Sequence, residues 1–72
     1  SGDAEAQFRY GLAHLEGRGG LSKDPFQAEH WLIMAAQRGH AAAQYRLGQL
    51  NEKGESGVPN PTEALAWYLA LD

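Results

Sequence analysis

The sequence predicts an all-α fold of two tandem helix–turn–helix repeats, and three observations lead to that prediction. A ten-residue segment that begins at Gly2 recurs from Gly39 with six identities, at an offset of 37 residues. A period of this length is typical of solenoids, whose stacked repeats share one core. Alanine and glycine supply 21 of the 72 residues, and alanine favours helices whereas glycine ends them. Third, apolar residues between positions 28 and 36 follow helical spacing.

The first helix is predicted over residues 4–16. Alanines and a length of about a dozen residues favour a helix there, and Phe8, Leu12 and Leu15 follow i, i+4, i+7 spacing. We expect Asp3 to cap the N-terminus of this helix and Gly17 to end it.

The second helix is predicted over residues 25–38. Asp24 and Pro25 form a start signal, with an acidic cap and a proline at the first helical position. Gly39 is expected to end the helix. The apolar stripe consists of Ala28, Trp31, Leu32, Ala35 and Ala36.

The second repeat copies the first and predicts helices over residues 41–53 and 61–71. Asn60 and Pro61 repeat the cap and the first helical position. The offset between the repeats falls to 36 residues at Ala64 and Trp67, so the second loop is one residue shorter. We therefore expect a single domain over residues 1–72, with repeats over about 3–39 and 40–72, taken from a longer array.

The repeated motifs resemble those of the SEL-like repeat family, relatives of the tetratricopeptide repeat. They are Ala-Gln-Phe/Tyr-Arg-x-Gly, Gly-x-x-Gly-Leu/Val and Ala-x-x-Trp-Leu/Tyr, each present twice. The resemblance implies a right-handed α-solenoid of antiparallel helix pairs and a role as a protein–protein adaptor. His14 and Asn51 depart from the family pattern, which usually has an aromatic residue there, and the Ala35–Ala36 pair becomes Leu71–Asp72 in the last helix.

Glycines at Gly11 and Gly48 lie in the middle of predicted helices, where glycine costs about 1 kcal/mol relative to alanine. We expect the second helix of each repeat to cross the first at this glycine, leaving no room for a Cβ atom. The tryptophans are expected to fill the interface between helices, and the alanines to set the interhelix distance. These structural residues are Trp31, Trp67, Ala28 and Ala64.

In related tetratricopeptide arrays the first helix of each repeat lines a concave groove, so the exposed side of that helix is the candidate binding surface. Phe8 and Tyr45 recur there at the same position, and aromatic residues with polar neighbours can anchor a peptide or a helix. The alternative is that both rings pack against the neighbouring first helix. The candidate partner-binding residues are Glu5, Phe8, Leu12, Tyr45, Gln49 and Glu52.

Two polar residues recur with the same 37-residue offset. Gln7 and Gln44 are interpreted as hydrogen-bonding bridges inside the structure. Arg9 and Arg46 are interpreted either as surface ion-pair partners of nearby glutamates or as a clamp for a ligand carboxylate.

Several function classes find no basis in the sequence. It has no cysteine, and His14, His30 and His40 lack metal-ligand spacing. The glycine-rich segment 17–20 lacks the context of a phosphate-binding loop, and no nucleophile has an adjacent base. A net charge of −3 argues against nucleic acid, and no apolar run approaches the ~20 residues of a membrane span. We therefore expect no enzymatic activity, cofactor, metal, nucleic-acid partner or direct membrane insertion.

The predicted function is that of an interaction scaffold that binds a peptide or protein surface through the first helix of each repeat. The alternative is a carbohydrate- or small-molecule-binding groove in an envelope assembly protein. Uncapped ends predict self-association of this two-repeat segment. Four arginines against two lysines favour a bacterial source, and the resemblance favours the periplasm or cell envelope.

Overall fold

The computed structural model describes residues 2–71, and those residues form four α-helices and no strand. The predicted all-α class with four helices is confirmed. Ser1 and Asp72, which belong to the predicted domain, lie outside the described residues. The helices are α1 (Gly2–Glu16), α2 (Pro25–Gln37), α3 (Ala41–Lys53) and α4 (Pro61–Leu69).

Three predicted helix bounds are wrong, and the smallest error is at α2, which ends at Gln37 and not at residue 38. The helix α1 begins at Gly2, so Asp3 lies inside its first turn and is not the N-cap. An acidic side chain in the first turn still interacts favourably with the positive end of the helix dipole. The helix α4 ends at Leu69, two residues early, because the chain tightens there: the N–H of Leu71 donates to the carbonyl of Tyr68, three residues back, at 3.2 Å.

The starts of α2 and α4 are confirmed, and both use the same device. The Asp24 carboxylate accepts a hydrogen bond from the main-chain N–H of Gln27 at 3.2 Å. The Asn60 side chain accepts one from the N–H of Glu63 at 3.1 Å. A proline follows each cap at the first helical position, where its missing N–H costs nothing.

Both long connections are held to the preceding helix by matched main-chain hydrogen bonds. Gly17 and Gly54 end α1 and α3 in the left-handed conformation, with φ of 69° and 71°. The N–H of Asp24 then donates to the carbonyl of His14, and that of Asn60 to the carbonyl of Asn51, both at 2.8 Å. The two repeats therefore share one backbone framework from the end of the first helix to the start of the second.

The core lies between consecutive helices, since α1 packs on α2, α2 on α3 and α3 on α4. Half of its members are alanines, so the helices approach one another closely. The assembly measures 33 × 30 × 12 Å, a thin layer in which each helix packs on its neighbours along the chain. The buried cluster consists of Leu15, Ala28, Leu32, Ala35, Ala36, Ala43, Leu47 and Leu50.

The second helix of each repeat crosses the first at the mid-helix glycine. A Cβ atom placed on Gly11 would lie 3.1 Å from Cγ of Leu32 and 3.2 Å from the carbonyl oxygen of Ala28. A Cβ atom on Gly48 would overlap the ring of Tyr68, the residue that corresponds to Leu32 in the second repeat. Close approach of the helices therefore occupies the space of a side chain at both positions.

The two tryptophans lie in different surroundings although their sequence positions correspond. Trp67 is half-buried and packs against the core. Trp31 is also half-buried, but its ring meets Tyr10 edge-on with centroids 4.9 Å apart, on the outer side of the first repeat. The corresponding alanines, Ala28 in the first repeat and Ala64 in the second, are both buried.

Candidate functional site

An open groove of about 580 Å³ runs along α1 and the loop that follows it. Three of the six predicted partner-binding residues, Glu5, Phe8 and Leu12, meet in this groove. The loop contributes an arginine and a leucine, so the groove has an apolar floor and a charged rim. Its lining residues are Glu5, Phe8, Arg9, Leu12, Ala13, Arg18, Gly19 and Leu21.

The floor of the groove is anchored in the core. Phe8 and Leu12 are half-buried and pack against the buried cluster while still lining the groove. The Phe8 ring lies 4.6 Å from the His40 ring, centroid to centroid, with the planes tilted by 30°. Phe8 therefore contacts the start of α3, which is the first helix of the second repeat, and it also faces the groove.

Glu5 is held by two partners on opposite sides of its carboxylate. One oxygen lies 2.7 Å from Nε2 of His40, and the other accepts a hydrogen bond from Nε of Arg9 at 2.7 Å. Nδ1 of His40 caps α3 by accepting from the N–H of Ala43, so the ring proton sits on Nε2 and is donated to Glu5. These hydrogen bonds, first that of His40 and then that of Arg9, lower the pKa of Glu5.

Arg9 and Arg18 form the cationic rim of the groove. Each contacts one carboxylate through its Nε atom: that of Arg9 lies 2.7 Å from Glu5, and that of Arg18 lies 2.6 Å from Glu16. Their side chains are 77% and 61% exposed. Exposed ion pairs of this kind contribute about 0–1 kcal/mol, so the guanidinium groups can exchange partners at little cost.

The corresponding positions of the second repeat carry an ion pair. Arg46 corresponds to Arg9, and Glu55 corresponds to Arg18, at the same offset of 37 residues. The two Nη atoms of Arg46 donate to the two carboxylate oxygens of Glu55 at 3.0 and 2.9 Å. Both side chains are only 25% exposed, and the hydrogen bonds from Arg46 lower the pKa of Glu55.

The other predicted partner-binding residues are not among those that line the groove. Tyr45 is exposed, and its ring lies 5.9 Å from that of Tyr68. Glu52 accepts a hydrogen bond from the Tyr68 hydroxyl at 2.8 Å, which raises the pKa of Tyr68 to about 12. Gln49 is half-buried on the same helix. Tyr45 and Glu52 therefore share a partner on α4.

Sequence reasoning missed the loop residues of the groove, Arg18 and Leu21. Arg18 follows the glycine that ends α1, and Leu21 belongs to the repeated Gly-Leu/Val pair. A comparison of the two repeats contained a signal for this position, because Arg18 of the first repeat corresponds to Glu55 of the second.

A second open face lies on the outer side of the first repeat. Ala6, Gln7, Tyr10 and Trp31 line a depression of about 440 Å³ there. Oε1 of Gln7 is buried and has no hydrogen-bond partner within residues 2–71.

The corresponding face of the second repeat is filled by α2. Nε2 of Gln44, the counterpart of Gln7, donates to the main-chain carbonyl of Ala36 at 3.2 Å. Ala43 and Leu47, the counterparts of Ala6 and Tyr10, are fully buried. The predicted bridging role of the repeated glutamine is therefore seen at Gln44, whereas Gln7 makes no such hydrogen bond within the described part of the chain.

The described residues offer neither a metal site nor a membrane span. No three histidine, aspartate or glutamate side chains in residues 2–71 are grouped so that they could hold a metal ion. None of the four helices combines the length and the apolar character needed to cross a bilayer.

Comparison with known families gives two adjacent matches. A family model of the Sel1 repeat matches residues 4–40 and again residues 41–70. The boundary between the matches falls at the start of α3, where the helix pattern repeats. No solved structure matches the chain.

Proposed function

Because the chain belongs to the Sel1 repeat family, whose repeats are generally protein–protein interaction modules, we propose that it is a scaffold that binds a peptide segment of another protein. The groove between α1 and its following loop is the proposed binding site. The family is one of non-enzymatic scaffolds.

The observation that carries this proposal is the composition of the groove. Phe8, Leu12 and Leu21 offer an apolar floor at the surface, and Arg9 and Arg18 lie beside it. Apolar anchors with a few polar neighbours are the usual basis of peptide recognition. Because Phe8 and Leu12 pack on the core, this part of the floor is formed before a partner arrives, which lowers the entropic cost of binding.

A carbohydrate or small polar ligand is the other candidate, and the groove favours it less. Such sites need several converging polar side chains with unfilled hydrogen-bonding capacity. Arg9 and Arg18 retain free donors in the groove, but the carboxylate of Glu5, the acidic side chain of the lining, is already bonded to His40 and Arg9. The two buried polar side-chain atoms without partners in residues 2–71, on Gln7 and His14, do not belong to groove-lining residues.

A peptide library displayed on phage, panned against the immobilised chain, tests the proposal. We expect enriched peptides to bind through the groove. The Leu21→Ser variant should therefore bind them about tenfold more weakly than the wild type, because an apolar contact is lost. Fluorescence polarisation measures the affinity. Val58→Ser is the matched control, since Val58 holds the same position in the second repeat and is highly exposed. Equal affinity for wild type and Leu21→Ser would overturn the proposed site.

The outer face of the first repeat supports a second part of the proposal, which concerns the domain. The face lined by Ala6, Gln7, Tyr10 and Trp31 is the seat of a helix like α2, contributed by a neighbouring repeat of a longer array. The packing of α2 over Gln44 and Ala43 supplies the template. Docking would bring a carbonyl to the Gln7 amide and cover the Trp31 ring.

A further inference from the structure

We propose that Arg9 and Arg18 form a binding site for the carboxylate of an aspartate or glutamate side chain in the bound peptide. This inference rests on the proposed function of the groove and names the chemistry of its ligand. Both arginines line the groove, and within residues 2–71 no hydrogen bond from their Nη atoms is seen.

The second repeat contains an arginine–carboxylate pair at the corresponding positions. There the arginine on the first helix is bound in a bidentate manner by Glu55, from the loop position that Arg18 holds in the first repeat. The backbone is matched at this point: the N–H of Arg18 donates to the carbonyl of Ala13 at 2.9 Å, and that of Glu55 to the carbonyl of Leu50 at 3.0 Å. The first repeat therefore has the arginine of the pair but a second cation where the pair has its carboxylate.

A carboxylate from another chain fills that role. A guanidinium group presents five N–H donors; Arg9 uses one of them in its hydrogen bond to Glu5, and Arg18 contacts Glu16 as an ion pair. Two guanidinium groups on one groove can bind a carboxylate through paired, charge-assisted hydrogen bonds. Arg9 can turn toward it without stranding Glu5, because His40 continues to hold that carboxylate.

The floor of the groove sets the residue beside the carboxylate. Leu12 and Leu21 line the same groove as both arginines. A segment with an acidic side chain next to an apolar one satisfies the rim and the floor together. An acidic residue without an apolar neighbour leaves the floor uncovered and binds by weak, exposed electrostatics alone.

The test uses the peptides enriched by panning, resynthesised with capped ends and with each acidic residue changed to its amide. We expect the amide version to bind the wild-type chain about tenfold more weakly, because a charge-assisted pair is lost. Arg18→Glu introduces a glutamate at the position that Glu55 holds in the second repeat. The new carboxylate should pair with Arg9 and weaken binding of the acidic peptide at least as much. Lys53→Glu carries the same change of charge on α3 and should leave affinity unchanged.

The outcomes separate the two proposals. If the peptides bind wild type and Arg18→Glu equally, or need only a free C-terminal carboxylate, the site for an acidic side chain is overturned while the groove stands. If Leu21→Ser leaves their binding unchanged, the groove itself is overturned. An unfolding curve of Arg18→Glu at least as stable as that of wild type shows that lost binding does not come from lost folding.

Discussion

At single positions the two repeats carry different side chains on the same backbone framework. Gly11 faces Leu32, and Gly48 faces Tyr68, so one framework accommodates an aliphatic side chain in one copy and an aromatic ring in the other. The Tyr68 hydroxyl reaches Glu52 on α3. The larger ring leaves no space at Gly48, whereas Leu32 leaves contacts that a small shift can relieve.

We predict that Gly48→Ala lowers the free energy of unfolding by about 1–3 kcal/mol, because the new methyl group overlaps the Tyr68 ring. Without that clash, alanine in a helix would be more stable than glycine by about 1 kcal/mol. Urea unfolding measures the difference. Gly11→Ala is the matched control and should cost less.

The reason for the loss can be tested in the same experiment. In a Tyr68→Leu background, which reproduces the Leu32 contact of the first repeat, Gly48→Ala should cost no more than Gly11→Ala. A Gly48→Ala variant more stable than wild type with Tyr68 in place would show that the helices do not approach as described.

At the scale of elements, the loops are tied to their helices by a repeated set of bonds, and side chains then distinguish the two copies. The Arg46–Glu55 pair fastens the second loop to α3. His40 joins the repeats, because it caps α3 and binds Glu5 of α1. An ion pair therefore holds the second loop on α3, whereas the corresponding Arg9 and Arg18 of the first repeat each contact a glutamate of α1.

The pair predicts a pH dependence. Because Arg46 lowers the pKa of Glu55 in the folded state, the pair contributes its full stability above the ordinary carboxyl pKa of 4.5 and loses it as the pH falls through the lowered pKa. Glu55→Gln should therefore lower the free energy of unfolding at neutral pH and flatten its decrease below about pH 4.5.

Urea unfolding between about pH 3 and 7 measures the effect. Glu63→Gln, which removes an exposed carboxylate outside the pair, is the control, and each variant is compared with the acid slope of the wild type. The account of the loop is wrong if Glu55→Gln retains that slope.

The elements were largely predictable from the sequence, and the reasons are local. Prolines after Asp24 and Asn60, and glycines after α1 and α3, specify helix ends through main-chain geometry. Asp3 was misassigned because a helix can begin upstream of a good cap residue. His40 as a cap was not foreseen, since a histidine caps a helix only when its ring is held in place, here by Glu5.

The candidate site was only partly predictable. Helical spacing was enough to group Glu5, Phe8 and Leu12. It could not place Arg18 and Leu21, because the path of a glycine-rich loop depends on left-handed backbone at several positions and not on a period.

For the whole molecule, the packing of one helix on the next leaves a face at the outer side of the first repeat that the second repeat shows filled. On that face Oε1 of Gln7 has no hydrogen-bond partner within residues 2–71 and the Trp31 ring is half-buried, whereas Gln44 bonds to α2 and Trp67 packs against the core. The packing of α2 on α3 therefore supports the proposal that a similar helix covers the outer face of the first repeat.

A synthetic peptide of residues 24–40, which contains α2, should bind the outer face of the first repeat when added to the chain. We expect it to shift the NMR signals of the Gln7 side-chain amide and the Trp31 indole, as a carbonyl and an apolar surface arrive. A peptide with Ala36→Leu should bind more weakly, since the larger side chain keeps the backbones apart. Equal shifts with both peptides would contradict the proposed seat.

Residue-resolved NMR can locate a bound partner segment and so test whether it occupies the proposed groove on α1. A panned peptide is titrated into ¹⁵N-labelled chain, and the displaced signals are mapped on the structure. If the peptide occupies the groove, we expect the largest changes in chemical shift at Phe8, Leu12, Arg18 and Leu21, and none at Val58. Shifts concentrated around Tyr45 and Tyr68, with the groove residues unmoved, would contradict it.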